Sequence, residues 1–361
     1  MKNIIKVIIF NTYCCLAFAN MQLPGSFSMI ELGKPATDLL HNGRILYVPE
    51  AIELRDQNID LSTINPKESD LWKSIGFPSN TDTLPINGSE YSYQGTLLSR
   101  LGNFRFNAKN NEGYTFLLGK KAFNTLLRAK LLQKLGYQVP ALKRLASIKI
   151  NFKTETEKNT FVDDLTQASF ADPRSHRWII EEKDTSLVLQ DVIVMNQNQS
   201  IYNLALGAMS ADVIKGRRVF NSLLAVYNLV DISESINLLS FESHRILGEN
   251  IVLPYELASE FSANVEDIQW IGRRIAKLNR LDFEEIVANA ELPQEVSKVL
   301  VEKIISRRNS LFRAIKINFE NIEFNPTVSL GEQLVNGKIL KENWTGYASR
   351  FAYGDPETPL S

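Results

Sequence analysis

Residues 102–152, GNFRFNAKNNEGYTFLLGKKAFNTLLRAKLLQKLGYQVPALKRLASIKINF, decide the architecture, because local physics assigns nearly every step in them. Phe104, Phe106 and Ala108 alternate with Arg105, Asn107 and Lys109, the two-residue period of a strand with one buried face. Asn110-Asn111-Glu112-Gly113 supplies a turn, and Tyr114 to Leu118 re-enter a strand. From Ala122 to Leu135 apolar side chains fall at helical spacing: Phe123, Leu126, Leu127, Leu131 and Leu135, with the stem of Lys130 beside them. Gly136 ends that helix, and Val139-Pro140 opens an extended segment. The expectation is a sheet with a helix against it. No motif of high chemical specificity lies in the stretch.

The chain start reads as a targeting segment. Lys2 and Lys6 make a basic beginning, Val7 to Phe18 is mostly apolar, and Ala17-Phe18-Ala19 fits a cleavage site for residues 1–19. Asn11, Thr12 and Tyr13 make the apolar run too weak for a comfortable membrane span. Both cysteines of the chain, Cys14 and Cys15, fall inside this segment, so the expected mature protein has no disulfide and no cysteine-ligated metal. Thr12 and Tyr13 are poor company for a lipid-modified cysteine. The sequence therefore predicts an exported protein, periplasmic or secreted, of a bacterial envelope. The sequons at Asn87, Asn198 and Asn343 are read as chance.

Charge excludes one class of partner. The 40 basic side chains fall just short of the 41 acidic ones, and losing Lys2 and Lys6 widens the gap. Nucleic acid is therefore not expected as the main partner; an envelope or protein partner is. No later run is long and apolar enough to predict a transmembrane helix.

Outward from the opening stretch, residues 20–95 form the least regular part, interrupted at Asn65-Pro66, Phe77-Pro78, Leu84-Pro85 and Asn87-Gly88. They read as an arm laid over the domain, with Trp72, Phe77 and Tyr91 to bury. Residues 96–200 form a mixed sheet and helix region. It includes a helix over Thr154–Ala168, strands over Arg177–Glu181 and Ser186–Met195, and an exposed or locally hydrogen-bonded Asp191 in the second strand. Residues 201–318 are mainly helical: Arg217–Leu229, a helix capped by Asn264 with Asp267 near its third position, a short helix opened by Asp282, and a long helix begun at Pro293. A hairpin is expected near 240–255, turning at Leu247-Gly248-Glu249-Asn250. Residues 319–361 read as a loosely structured tail. The fold class is α+β, an N-terminal antiparallel sheet with a packed helix followed by a largely helical part.

The chain lacks HExxH, a Walker loop, GxSxG and GxGxxG. Its three histidines, His41, His176 and His244, have no metal-ligand spacing, so no metal and no cofactor is predicted. Trp178 and Trp270 read as core aromatics. The element order from Gly102 to Ile150 resembles the small lobe of protein-kinase-like phosphotransferases, where a glycine-containing hairpin precedes a strand ending in a lysine and a packed helix. That resemblance implies Lys120 or Lys121 as the nucleotide-contacting lysine. It also implies Asp231 as a catalytic aspartate and Asn237 as a metal-binding asparagine ahead of the 240–255 hairpin. Glu256 then stands where a metal-binding aspartate belongs. Two departures argue for a degenerate version. The helix offers Asn124 and no acid between Ala122 and Leu135, and Gly102 and Gly113 bracket the expected hairpin instead of lying at its bend.

Three arginine pairs, Arg217-Arg218, Arg273-Arg274 and Arg307-Arg308, form either an anion-binding surface or faces balanced by acids such as Glu234, Asp267 and Glu302. The phrases FNTLLRAKLLQKLGYQVPALKRL, RRVFNSLLAVYNLVDISESINLLSFESHRIL, VEDIQWIGRRIAKLNR and VEKIISRRNSLF resemble an uncharacterised family of exported proteins of Bdellovibrio-like predatory bacteria. The resemblance implies an envelope or exported location and carries no activity, substrate or site residue. The expectation is an exported structural or binding protein, with a degenerate kinase-like nucleotide-binding or phosphotransferase domain as the alternative.

Overall fold

Alternating apolar and polar residues build a three-stranded antiparallel meander, β3 (Glu90–Arg100), β4 (Asn103–Lys109) and β5 (Gly113–Leu118). Its two preceding strands, β1 (Leu40–His41) and β2 (Arg44–Ile45), form a separate small hairpin. The computed structural model describes residues 33–77, 83–100, 103–119, 122–139, 141–168, 178–196, 216–229, 246–247, 250–251, 264–292, 294–323 and 325. The β4–β5 hairpin runs from Phe104 opposite Leu118 to Lys109 opposite Gly113, with the turn where the sequence places it. β3 begins at Glu90, inside the stretch read as an irregular arm. Its polar, glycine-containing sequence hides the strand. The pairing with β4 shifts register on either side of Gly95–Thr96, and Gly95 has φ +138, a backbone state that glycine reaches without strain.

Two further long strands, β6 (Leu142–Asn151) and β8 (Ser186–Asn196), pair antiparallel along almost their whole length. The short β7 (Ile179–Lys183) precedes β8 as a hairpin partner. β8 uses its second edge twice. Its first half pairs with β7, and from Ile193 to Asn196 it pairs with β5. β6 reaches β3 through three parallel pairs, Lys149–Asn151 against Glu90–Ser92. The ring β3-β4-β5-β8-β6 therefore closes into a barrel, antiparallel except at that one seam. An odd number of strands in a closed ring forces one parallel contact.

Aromatic side chains fill this sheet. Phe106 stacks on Phe116 at 5.3 Å, Tyr91 lies 5.0 Å from Phe116, and Phe161 stands edge-on to both Phe104 and Phe106 at 5.1 Å. Phe161 belongs to the helix Glu155–Ala168, which presents Phe161, Val162, Leu165 and Ala168 to the sheet. Thr154 accepts from the Glu157 amide at its start. The helix that follows β5, Ala122–Lys134, is shared between two cores. Leu126 packs with the barrel, whereas Leu127, Leu131, Leu132 and Leu135 pack with the helices that follow.

In chain order we label the helices α1 (Val48–Asp56), α2 (Ala122–Lys134), α3 (Glu155–Ala168), α4 (Arg218–Asn221), α5 (Leu223–Leu229), α6 (Val265–Ile275), α7 (Arg280–Ala288) and α8 (Gln294–Ala314). The helix read over Arg217–Leu229 is thus broken at Ser222 into α4 and α5. Asn264 caps α6 by accepting from the Asp267 amide, as its sequence indicates. α7 differs by one turn: Asn279 is its cap, and Asp282 closes a capping box from the third position. The expected hairpin is present as β9 (Ile246–Leu247) antiparallel to β10 (Asn250–Ile251), with Leu247 opposite Asn250. Beyond α8, Ile315 and Ile317 are buried, and Asn309 holds Ile322 through its side-chain amide. No helix among the described residues is long and apolar enough to cross a membrane.

Residues 33–77 carry more structure than their sequence suggests. Asn42 and Gly43 both take positive φ (49° and 79°) in the two-residue turn of the β1–β2 hairpin. α1 follows with Pro49 in its first turn and Glu50 reaching back to the Tyr47 amide. Ala36, Leu39, Leu46, Ala51, Leu61 and Ile64 make a small core of their own. Trp72 is the anchor. It is fully buried, donates from its indole to the Leu135 carbonyl, and lies edge-on to Trp270 at 5.3 Å.

Gly136, with φ +95, ends α2 against this anchor, and a Cβ there would stand 2.3 Å from the Lys73 carbonyl oxygen. The close atom is backbone and cannot swing aside. Gly136→Ala is expected to destabilise the protein by about 2 kcal/mol or more, the sum of left-handed strain and a forced backbone shift. Urea denaturation of the two proteins measures it.

Across the surface, Lys134 holds Asp282 at 2.7 Å and Glu285 at 2.6 Å, and Lys130 also reaches Glu285. Hydrogen bonds from the two lysines hold the Glu285 carboxyl down to about 2. A carboxyl pKa lowered by folding stabilises above its unfolded value, and that stability is lost as pH falls through the folded value. Half of the Glu285 side chain faces solvent, so Glu285→Gln should cost under about 1 kcal/mol at neutral pH. The cost should vanish between pH 4.5 and 2 in denaturation measured across that range.

Candidate functional site

The arginine pairs were the most concrete sequence candidates, and one member of two of them, Arg218 and Arg308, is buried. Arg217 precedes α4 and is half-buried. Arg218 is completely buried. Its Nε donates to Asp267 Oδ1 at 2.8 Å, and its Nη1 donates to the carbonyls of Leu61 and Ile64. Its backbone amide donates to Asp38 Oδ1 at 2.9 Å. Asp267 receives a second donor on its other oxygen, Asn221 Nδ2 at 2.9 Å. Burial pushes the Asp267 carboxyl up, while Arg218 and Asn221 pull it back. Burial raises Asp38 too, with the Asp267 charge adding to the rise.

Six residues beyond Asp267 on α6, Arg273 donates to Asp60 Oδ2 at 2.7 Å and to Ser62 Oγ at 3.0 Å. Arg274 leaves on another face. It donates to the carbonyls of Leu135 and Ser74 and lies 4.9 Å over the Trp72 ring. Burial holds its guanidinium below the ordinary arginine value. Arg308 is buried as well, donating to the carbonyls of Glu320 and Ala276 and lying 4.7 Å from Phe312. The structure thus brings Arg218 and Arg273 to one turn, Leu61–Thr63, and sends Arg274 and Arg308 elsewhere. Those of their donors that find partners take the protein's own carbonyl, carboxylate and hydroxyl oxygens. Glu302, one of the acids expected near Arg307-Arg308, instead takes a bidentate contact from Arg280. Glu234 lies outside the described residues.

A second buried pair joins barrel and helices. Arg144 of β6 donates to Asp191 of β8 at 2.6 Å and to Glu291, after α7, at 2.9 Å. Asp191 was read as exposed or locally bonded; it is 5 % exposed and has φ 54 in mid-strand. It stands where one edge of β8 changes partner from β7 to β5, and the left-handed backbone takes up that change of direction. Glu291 also has positive φ, 50°. The neighbouring Leu292 packs against both large cores.

Lys120, Lys121, Asp231, Asn237 and Glu256 all lie outside the described residues. Described elements flank them along the chain. Leu118 ends β5 and Ala122 starts α2 on either side of the lysines; Leu229 ends α5 two positions before Asp231; and the β9–β10 hairpin falls between Asn237 and Glu256. Of the three histidines only His41 is described, on β1. Trp178 and Trp270 are buried at 1 % and 2 %, as core aromatics. Among the described residues no cluster of histidine, cysteine and carboxylate side chains suits a metal ion. Sequence reading did not single out Asp38, Asn221 or Arg144 because their partners lie tens to hundreds of residues away, with no local pattern to mark them.

Comparison with protein families, characterised proteins and solved structures returned no match to this chain.

Breaking the Arg218–Asp267 pair by one substitution leaves a buried charge alone. Asp267→Leu or Arg218→Met is expected to cost about 3–5 kcal/mol, whereas the double variant should recover much of that loss. Guanidinium denaturation of the four proteins reads the coupling directly.

Proposed function

We propose that the chain is an exported binding protein of the bacterial envelope whose ligand site is a degenerate kinase-like nucleotide cleft. The observation that carries this reading is the order of elements around the barrel. A hairpin, β3–β4, is followed by β5, then by helix α2 packed beside the sheet, then by the β6 and β8 pair that returns to β5. Arg100 pairs with Asn103, so the connection within the first hairpin is Leu101-Gly102. By sequence that connection contains one glycine, where a kinase-like phosphate-covering loop carries three, in keeping with a degenerate version. Lys120 and Lys121 follow the third strand of the meander directly, the position of a phosphate-contacting lysine in this arrangement.

The second hairpin supports the same order. β9–β10 comes after Asp231 and Asn237 and before Glu256, the sequence in which a kinase-like site supplies a base, a metal-binding amide and a metal-binding acid. The roles follow from charge. A lysine neutralises phosphate oxygens, while Asn237 and Glu256 offer oxygen ligands to a divalent ion carried in with the nucleotide. α2 has no carboxylate to position the lysine, so phosphoryl transfer is expected to be absent or very slow and binding to remain.

Titration of the mature protein with a non-hydrolysable ATP analogue, with and without magnesium, tests the reading. Saturable binding strengthened by magnesium is expected, weakened about tenfold, or 1.4 kcal/mol, by Lys121→Ala with Lys120→Ala and by Glu256→Gln. No saturable binding at millimolar nucleotide removes the cleft and leaves an envelope structural or protein-binding role. Export has its own readout: the mass of the natural protein should correspond to a chain beginning just after Ala19.

A further inference from the structure

Two polar atoms at the centre of the helical part have no protein partner, and both belong to side chains at most 1 % exposed: Arg218 Nη2, a donor, and Asn221 Oδ1, an acceptor. An orphaned buried polar group costs about 1–3 kcal/mol, so two of them on side chains that share one carboxylate demand an explanation. Their surroundings are fixed. Arg218 Nε donates to Asp267 Oδ1 at 2.8 Å, and Asn221 Nδ2 donates to Asp267 Oδ2 at 2.9 Å. In a guanidinium the Nε–H and one Nη2–H run parallel on the same edge, so Nη2 faces the side on which Asp267 sits. The amide oxygen of Asn221 stands beside the nitrogen that reaches the same carboxylate. Both orphans therefore flank Asp267.

Chemistry selects the ligand. A cation is repelled by the Arg218 guanidinium, whose Nη2 can only donate. An anion is repelled by Asp267 and by the Asn221 oxygen, which can only accept. What satisfies both is a small neutral molecule that accepts from one and donates to the other, and water is the smallest that does so. We propose that one buried water bridges Arg218 Nη2 and Asn221 Oδ1. It is a permanent part of the clamp that holds residues 33–67 on the helices. Water of this kind commonly makes two to four hydrogen bonds and is costly to remove.

The clamp follows from what else Arg218 holds. Its Nη1 carries the carbonyls of Leu61 and Ile64, and its backbone amide carries Asp38, so its orientation sets where the N-terminal segment docks. A satisfied Nη2 keeps the guanidinium plane from rotating off Asp267.

A high-resolution crystal structure of the full chain tests this without any variant. The expected result is one water density within about 2.7–3.2 Å of both atoms. A direct Nη2–Oδ1 contact, another side chain between them, or dry density overturns it. In solution, a water cross-peak to the Arg218 guanidinium protons is expected, and its absence counts against the site. Asn221→Leu removes the acceptor; amide exchange across residues 38–64 should then quicken about tenfold relative to the barrel strands. Unchanged exchange in a folded Asn221→Leu protein overturns the clamp role, and if that variant does not fold, the wild-type density and cross-peak still decide.

Discussion

Arg218 and Asp267 form an ion pair with no exposure on either side chain, and three separate parts of the chain meet on it. α4 supplies the arginine, α6 the aspartate, and the turn at Leu61–Thr63 the carbonyls that receive the remaining donors. A charge removed from water is tolerated only when partnered and hydrogen-bonded, so these parts are placed together or not at all. Asn221 and the capping Asn264 extend the same constraint, the one to Asp267 and the other to the Lys34 carbonyl. The N-terminal segment therefore behaves as an integral layer. Arg55 with Glu266 and Arg273 with Asp60 repeat the arrangement nearer the surface, where it is worth less.

The barrel and the helices are joined by different means. α2 faces both cores, so burying its two sides couples the sheet to α4, α5 and α6 without a separate interface. Arg144, Asp191 and Glu291 add a polar tie at the far side of that junction. Asp191 accepts an unfavourable backbone there because β8 must serve β6 along one edge while its other edge passes from β7 to β5. A flat sheet would need no such residue; a closed ring bends, and the bend falls on this strand.

The proposed nucleotide site would draw on the segments that follow β5, α5 and the β9–β10 hairpin in the chain. Arg218, Arg274 and Arg308 direct their bonded donors to the protein's own carbonyls and carboxylates. That makes Arg218, Arg274 and Arg308, conspicuous in sequence, poor candidates for a ligand surface. On that proposal, the missing carboxylate on α2 would separate binding from transfer, since an unpositioned lysine attracts phosphate without aligning it.

The sequence by itself determined the β4–β5 hairpin, the extent of α2 and its stop at Gly136, the cap at Asn264, the position of the β9–β10 turn, and the α+β class. Each of these is set by neighbours within a few residues: side-chain alternation, helical spacing, a glycine with φ +95, an amide that bonds three residues on. α1 was not read from the sequence, which placed Val48–Asp56 in an irregular arm. Only the tertiary structure decided that the sheet closes into a barrel, that β3 joins it, that β8 divides one edge between two partners, and that Arg218, Arg274 and Arg308 point inward. Those outcomes depend on contacts across long chain separations, such as Arg218 with Leu61 or Arg144 with Glu291, whose formation rests on burial and loop closure and leaves no local pattern to read.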